Sequence, residues 1–194
     1  MNASVPPSSS TPAQVRRGRL MLVALFLLFF GTVFGAGVLR FAGWQPQGSK
    51  THGEMLQPAV DVRSATPVLA DGTPYPWDPV ERTWRIVVAP PAGCEEACVG
   101  LTQDLDKVWR LFGHRADHAE LLWIGTLPQG APGNAAWREV RADDPLRALL
   151  PGVDDPSGIP VYVIDPNGFV ILRYAPGSDP GGLRTDVARL LKLK

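Results

Sequence analysis

The sequence predicts an α/β domain, a mixed β-sheet with helices on both faces, preceded by one N-terminal transmembrane helix. Three observations lead there. An uncharged apolar run fills residues 20–39. Beyond residue 83, compact β-branched runs alternate with stretches whose apolar residues recur every three or four positions. Near the end, two apolar runs flank DPNG, the mark of a hairpin.

Composition sets the outer limits. The chain has 194 residues and zero formal net charge. One domain plus an appendage is expected, and no basic surplus points to nucleic acid. Twenty prolines and twenty glycines imply much loop and linker.

Residues 1–15, rich in Ser and Pro, are expected to be disordered. The run LMLVALFLLFFGTVFGAGVL follows. At ~1.5 Å rise per residue, a helix of that length crosses the ~30 Å hydrocarbon core. Arg16, Arg17 and Arg19 precede it, with only Arg40 and Lys50 soon after. The positive-inside rule therefore puts 1–19 in the cytoplasm and the rest outside, which is the periplasm if the source is a Gram-negative bacterium. A cleaved signal peptide fits less well. Its apolar core spans ~7–15 residues, and here Val38 and Leu39 continue the apolar run past GAG at 35–37.

The expected division is a cytoplasmic tail at 1–19, a transmembrane helix at 20–39, a linker and irregular lead-in at 40–82, and a globular domain at 83–194. Within the lead-in, Val60, Val62, Val68 and Leu69 could form a short strand or a docked segment. TWRIVVA at 83–89 reads as a buried strand, ended by PPAG. From Cys94 to Phe112 the apolar spacing predicts an amphipathic helix, with Gly113 as its stop. AELLWIGTL at 119–127 is a second strand and WREVRA at 137–142 a third. DPLRALL at 144–150 reads as a short helix capped by Asp144, with Pro145 as its first residue. The hairpin spans 159–175, its Asn-Gly supplying the positive φ of a tight turn. A closing helix covers 183–192. Strand, helix, strand, then hairpin and helix, gives the mixed sheet of thioredoxin-like domains.

The only two cysteines are Cys94 and Cys98, at the strand-to-helix junction. Residues four apart on a helix have Cβ atoms ~5–6 Å apart, whereas a disulfide needs ~3.8 Å. The pair closes only if the first turn is loose, which Gly93 allows. Two thiolates also suit Cu(I). A fixed bridge here closes too small a loop to gain much. The helix start favours a thiolate, while Glu95 and Glu96 oppose it.

GCEEAC, YVIDPNGFVILRYAP and LRTDVARLLK, over roughly residues 83–193, resemble the Sco/SenC proteins. Those are membrane-anchored, thioredoxin-fold proteins that help mature the binuclear copper centre of cytochrome c oxidase. The resemblance implies that Cys94 and Cys98 are the family's cysteine pair. It also implies a copper-ligand histidine shortly before the first hairpin strand, but Ser157 stands at about that position. The chain is thus a divergent relative, with either a thiol–disulfide role or two-thiolate Cu(I) binding completed from elsewhere.

The other candidates are few. His114 and His118 follow Gly113, beyond the far end of a helix ~27 Å long, and read as surface residues. His52 reaches the site only if the lead-in folds back. Pro160 in GIP sits about where thioredoxin-like oxidoreductases carry a cis-proline facing the cysteines. The alternative is a trans proline opening an edge strand. Trp84, Trp109 and Trp123 read as packing, Trp44 as a membrane-interface residue, and Trp77 as docked or as a contact surface.

The expected function is assistance to oxidase copper-centre assembly by thiol–disulfide exchange, Cys94 attacking and Cys98 resolving. The partner is the copper-bearing oxidase subunit or another assembly factor, and residues 20–39 hold the membrane. The alternatives are a Cu(I) chaperone, a non-catalytic factor with a fixed bridge, and a general periplasmic thiol oxidoreductase or peroxidase.

Overall fold

The computed structural model describes residues 12–41 and 51–192. Trp44 lies outside them. The chain divides into two compact units, 1–48 and 49–194.

Among its described residues the first unit holds one helix, α1, Pro12–Phe41. Its stretch Arg16–Phe41 is long and apolar enough to cross a membrane. The helix reaches back into the part of the tail expected to be disordered. Pro12 is its first residue, a position where the missing N–H costs nothing, and Ala13, Gln14, Arg16 and Arg17 are good helix formers.

The second unit is built on one sheet of six strands in the order β1-β6-β5-β2-β3-β4. The strands are β1 (Glu54–Asp61), β2 (Trp84–Val88), β3 (Ala119–Ile124), β4 (Trp137–Val140), β5 (Val161–Ile164) and β6 (Phe169–Tyr174). β2, β3 and β4 run parallel, while β5, β6 and β1 join by antiparallel pairing.

Side chains along β2 alternate between two cores, as a pleated strand requires. Ile86 and Val88 enter one core with Leu121, Trp123, Val163 and Leu172. That face is covered by α2 (Glu96–Arg110) and α4 (Pro180–Leu190) through Leu105, Val108, Leu183 and Val187. Val87 and Ala89 enter the other core with Leu122, Ile124, Tyr162 and Val170. Burying an aliphatic side chain of this kind stabilises by about 1.5–3 kcal/mol.

The second face has little helix over it. Among the described residues of this unit, the four-residue α3 (Leu146–Leu149) lies there, joined by Val62, Ala65, Tyr75 and Trp77 of the lead-in. The lead-in is therefore a structural layer, with Val62 docked in the core and Val60 in β1, and it clusters with the rest of the 49–194 unit. Its strand β1 is an edge strand, where Pro58 is tolerated because no partner needs its missing N–H. Trp77 donates to the Ala65 carbonyl at 2.8 Å and meets Tyr75 edge-on. The Asp144 carboxylate joins the layers, accepting Val68 N–H at 2.8 Å and Leu146 N–H at 2.9 Å.

The hairpin turn differs from expectation. Positive φ falls on Gly168 alone, at 88°. Asp165 Oδ1 accepts the N–H groups of Asn167 and Phe169 instead, each within 2.9 Å, and closes the turn. A Cβ at Gly168 would lie 2.9 Å from Arg63 and 3.0 Å from Trp77, so the lead-in packs directly on this turn.

Candidate functional site: the Cys94–Cys98 cleft

The parallel strands β2 and β3 both run out at one edge of the sheet, where open α/β folds place their sites. β2 ends at Val88 and the chain passes through Ala89, Pro90, Pro91, Ala92 and Gly93 to Cys94. Gly93 has φ 77°, a conformation that turns the chain sharply and that other residues rarely adopt. α2 starts only at Glu96, with Val99 N–H to Glu95 O as its opening bond. Cys94 therefore stands outside the helix, not on its first turn. That is why a pair four residues apart can close: the two Cα atoms are 5.5 Å apart and the sulfurs are joined as a disulfide.

The two sulfur-bearing residues are unequal. Cys94 is half-buried, whereas Cys98 is 1% exposed and belongs to the core beneath α2. They open on a cleft of about 430 Å³, walled by Pro90, Trp123, Ile124, Pro128 and Arg147. Trp123 donates to the Thr126 carbonyl at 3.1 Å, which fixes the wall that faces the disulfide. Arg147 of α3 donates through Nη1 to the Ala89 and Pro90 carbonyls at 2.9 and 3.0 Å. Nothing in the local pattern of DPLRALL singles out Arg147, because its partners lie 57 and 58 residues away.

Pro160 is buried, and the Ile159–Pro160 bond is trans; the cis bond in the described residues is Gln57–Pro58. Pro160 precedes β5, which is an inner strand rather than an edge one. Its neighbours Ser157, Gly158 and Ile159 face a second groove with Ala97, Leu101 and Pro176. Pro160 lines neither cleft.

The three histidines stay apart from the cysteines. His114 and His118 are exposed in a 3-10 helix, Gly113–His118, past the far end of α2. The lead-in does fold back, yet His52 goes to α4: its Nδ1 meets Asp186 Oδ1 at 3.2 Å. Ser157 donates to Asp155, its Oγ–Oδ1 distance 2.5 Å. Among the described residues, no group of three or more His, Cys, Asp or Glu side chains could hold a metal ion. The residues present therefore do not fit a Cys-Cys-His copper site.

Asp186 anchors the lead-in. It is 2% exposed and accepts His52 N–H at 2.6 Å, Gly53 N–H at 3.2 Å and the Tyr174 hydroxyl at 2.9 Å. Burial pushes its carboxyl up, but bonds from the His52 side chain, the Gly53 and His52 amides and Tyr174 outweigh it and hold it below the usual carboxylate range. The approach is close: a Cβ at Gly182 would lie 2.7 Å from the His52 Cβ.

A mixed sheet with its cysteines at a strand-to-helix junction defines a thioredoxin-like domain carrying a disulfide. The chain belongs to the family whose model is described as transmembrane-like, thioredoxin-like, C-terminal domain, matched over residues 84–194. No curated protein matches the chain significantly. Among solved structures it is similar to BsSco, described as a member of the Sco family of cytochrome c oxidase assembly proteins with a disulfide switch. The identity is 14%, over 73% of this chain and 98% of that one, with a TM-score of 0.51. It is also similar to copper-bound ScoI from Bradyrhizobium japonicum, at 13% identity over 65% and 96% of the two chains, TM-score 0.46. A thiol:disulfide interchange protein from a Bacteroides species matches at 16% identity over 72% and 89%, TM-score 0.43. The likeness to BsSco speaks to the fold.

Proposed function

We propose that this chain is a divergent Sco-like protein, anchored by α1 with its domain outside the cytoplasm, that reduces disulfides in a partner protein. The observation that carries the reading is the inequality of the pair: a reachable Cys94 backed by a sealed Cys98, on an open cleft. A fixed bridge has no need of that asymmetry, whereas an attacking and a resolving thiol do.

The reaction balances as follows. In the reduced protein, the Cys94 thiolate attacks one sulfur of a partner disulfide. A Cys94–partner bond forms, and the other partner sulfur leaves as thiolate. The Cys98 thiolate then attacks Cys94 Sγ and expels the first partner sulfur. Two electrons pass to the partner, and the Cys94–Cys98 disulfide of the structure remains. A dithiol protein on the same side of the membrane restores the reduced pair.

The sequence likeness around GCEEAC and the hairpin, with an N-terminal apolar helix, supports a place in oxidase assembly. The partner disulfide is then that of the copper-binding cysteines in the oxidase subunit, which must be reduced before they accept copper. The test is trapping. Cys98→Ser leaves the mixed disulfide unresolved, so the full chain should accumulate a reductant-sensitive adduct containing the copper-bearing subunit. Absence of any adduct, in cells that make both proteins, would refute the reading.

A further inference from the structure

Arg147 supplies the charge of the disulfide cleft. Among the residues that line it, Arg147 alone is charged; the rest are apolar, glycine, threonine or the cysteines themselves. Its guanidinium is held from two sides. Nη1 donates to the carbonyls of Ala89 and Pro90, the chain that leads from β2 to Cys94, and Nη2 pairs with Asp154 at 2.7 Å. The Asp154 side chain is 79% exposed, so water and salt screen that partner. Glu95 and Glu96, the negative neighbours of Cys94, are exposed as well. Arg147 itself is 27% exposed and faces a cavity walled by Trp123 and Ile124, where a charge is screened less.

Thiol–disulfide exchange carries negative charge on sulfur from attack to release. We propose that Arg147 is a positioning residue for this exchange: held by the Ala89 and Pro90 carbonyls ahead of Cys94, it offers a fixed positive charge to the anionic sulfurs in the cleft. This rests on the exchange reading above. Because the guanidinium is already held by backbone carbonyls, it needs no rearrangement when the charge develops.

Matched variants of the full chain in detergent micelles test it. Arg147→Met and Arg147→Lys both lose the two-carbonyl fork, and only the lysine keeps the charge. The probe is the neutral disulfide 4,4′-dithiodipyridine, mixed rapidly with the reduced protein; the thiopyridone released reports attack and resolution. Arg147→Met should react about tenfold more slowly than wild type, and Arg147→Lys within about threefold of it. Both variants should melt at the same temperature, so the rate difference reads charge and not folding. Arg147→Met reacting at the wild-type rate would overturn the assignment, as would Arg147→Lys being as slow as Arg147→Met. If reduced wild type itself releases no thiopyridone, the exchange reading fails, and the assignment with it.

Discussion

The two ends of β2 are built on opposite terms. At the N-terminal end, Arg85 is buried at 1% exposure and every direction around it is filled. Its Nε donates to the Tyr75 hydroxyl at 3.0 Å, its Nη1 to the Pro166 carbonyl at 3.3 Å, and its guanidinium lies over the rings of Tyr75 and Trp77. Tyr75 donates in turn to Glu120, which Arg138 Nε reaches at 3.0 Å. Burial pushes the Tyr75 phenol up, so it stays a neutral donor at any working pH. At the C-terminal end the chain leaves the sheet through prolines and a glycine, and a disulfide opens on a cleft. One end is satisfied and closed, and the other is open and chemically addressable. A closed end would keep the strand fixed during the exchange proposed for the other.

That contrast predicts which substitutions touch chemistry and which touch stability. The largest effect belongs to the open end. Cys94→Ser should abolish exchange outright while the domain still melts cooperatively, as followed by thiopyridone release and circular dichroism. At the closed end the reverse holds. Arg85→Ala removes a cation from a buried polar network and should cost about 3 kcal/mol in urea unfolding. The folded fraction should keep its exchange rate; a loss of rate in fully folded protein would erase the distinction.

The lead-in anchor comes next. Asp186→Asn should destabilise by about 2 kcal/mol, because the amide can accept with only one oxygen what the carboxylate accepts with two. Proteolysis of the 51–61 segment should quicken in step with that loss.

The smallest effect is a pH dependence. Bonds from the Ser157 hydroxyl and amide, then Arg173, hold the Asp155 carboxyl down at about 2, below its ordinary 3.8. The folded value is depressed, so this contribution is fully present above about pH 4 and is lost as pH falls toward 2. Asp155→Asn should flatten the stability curve in that window and leave it unchanged near pH 7.

What could be read ahead of the structure follows the range of the interactions. The strand TWRIVVA, the hairpin and the cysteine junction carry their signals within a few residues, and each was legible. α4 was placed three residues too late because Gly181 and Gly182 hide it, although Asp179–Pro180 repeats the cap-and-proline pattern already recognised at Asp144–Pro145. Asp179 accepts from both glycine amides. The lead-in was legible only as a short strand or docked segment around Val60, Val62, Val68 and Leu69, and its partners were hidden for a stronger reason. Pro58 interrupts β1, and its pairing with β6 bridges residues more than a hundred positions apart. Gly53 and Gly182 make room for Tyr174 and His52, contacts no local pattern encodes. At the site, Cys94 and Cys98 could be named from the sequence, but Arg147 could not. The same holds for Pro160: its neighbourhood was legible, but the trans bond and its absence from the lining of both clefts were not.

The most direct test of the central claim is the equilibrium reduction potential of the Cys94–Cys98 pair in the full chain, set against dithiol redox buffers with thiols counted by alkylation. An exchange-active pair should titrate above about −300 mV and reduce completely in mild dithiol. A potential well below that, with the bridge resisting reduction until the domain unfolds, would make it a fixed structural bridge and contradict the account.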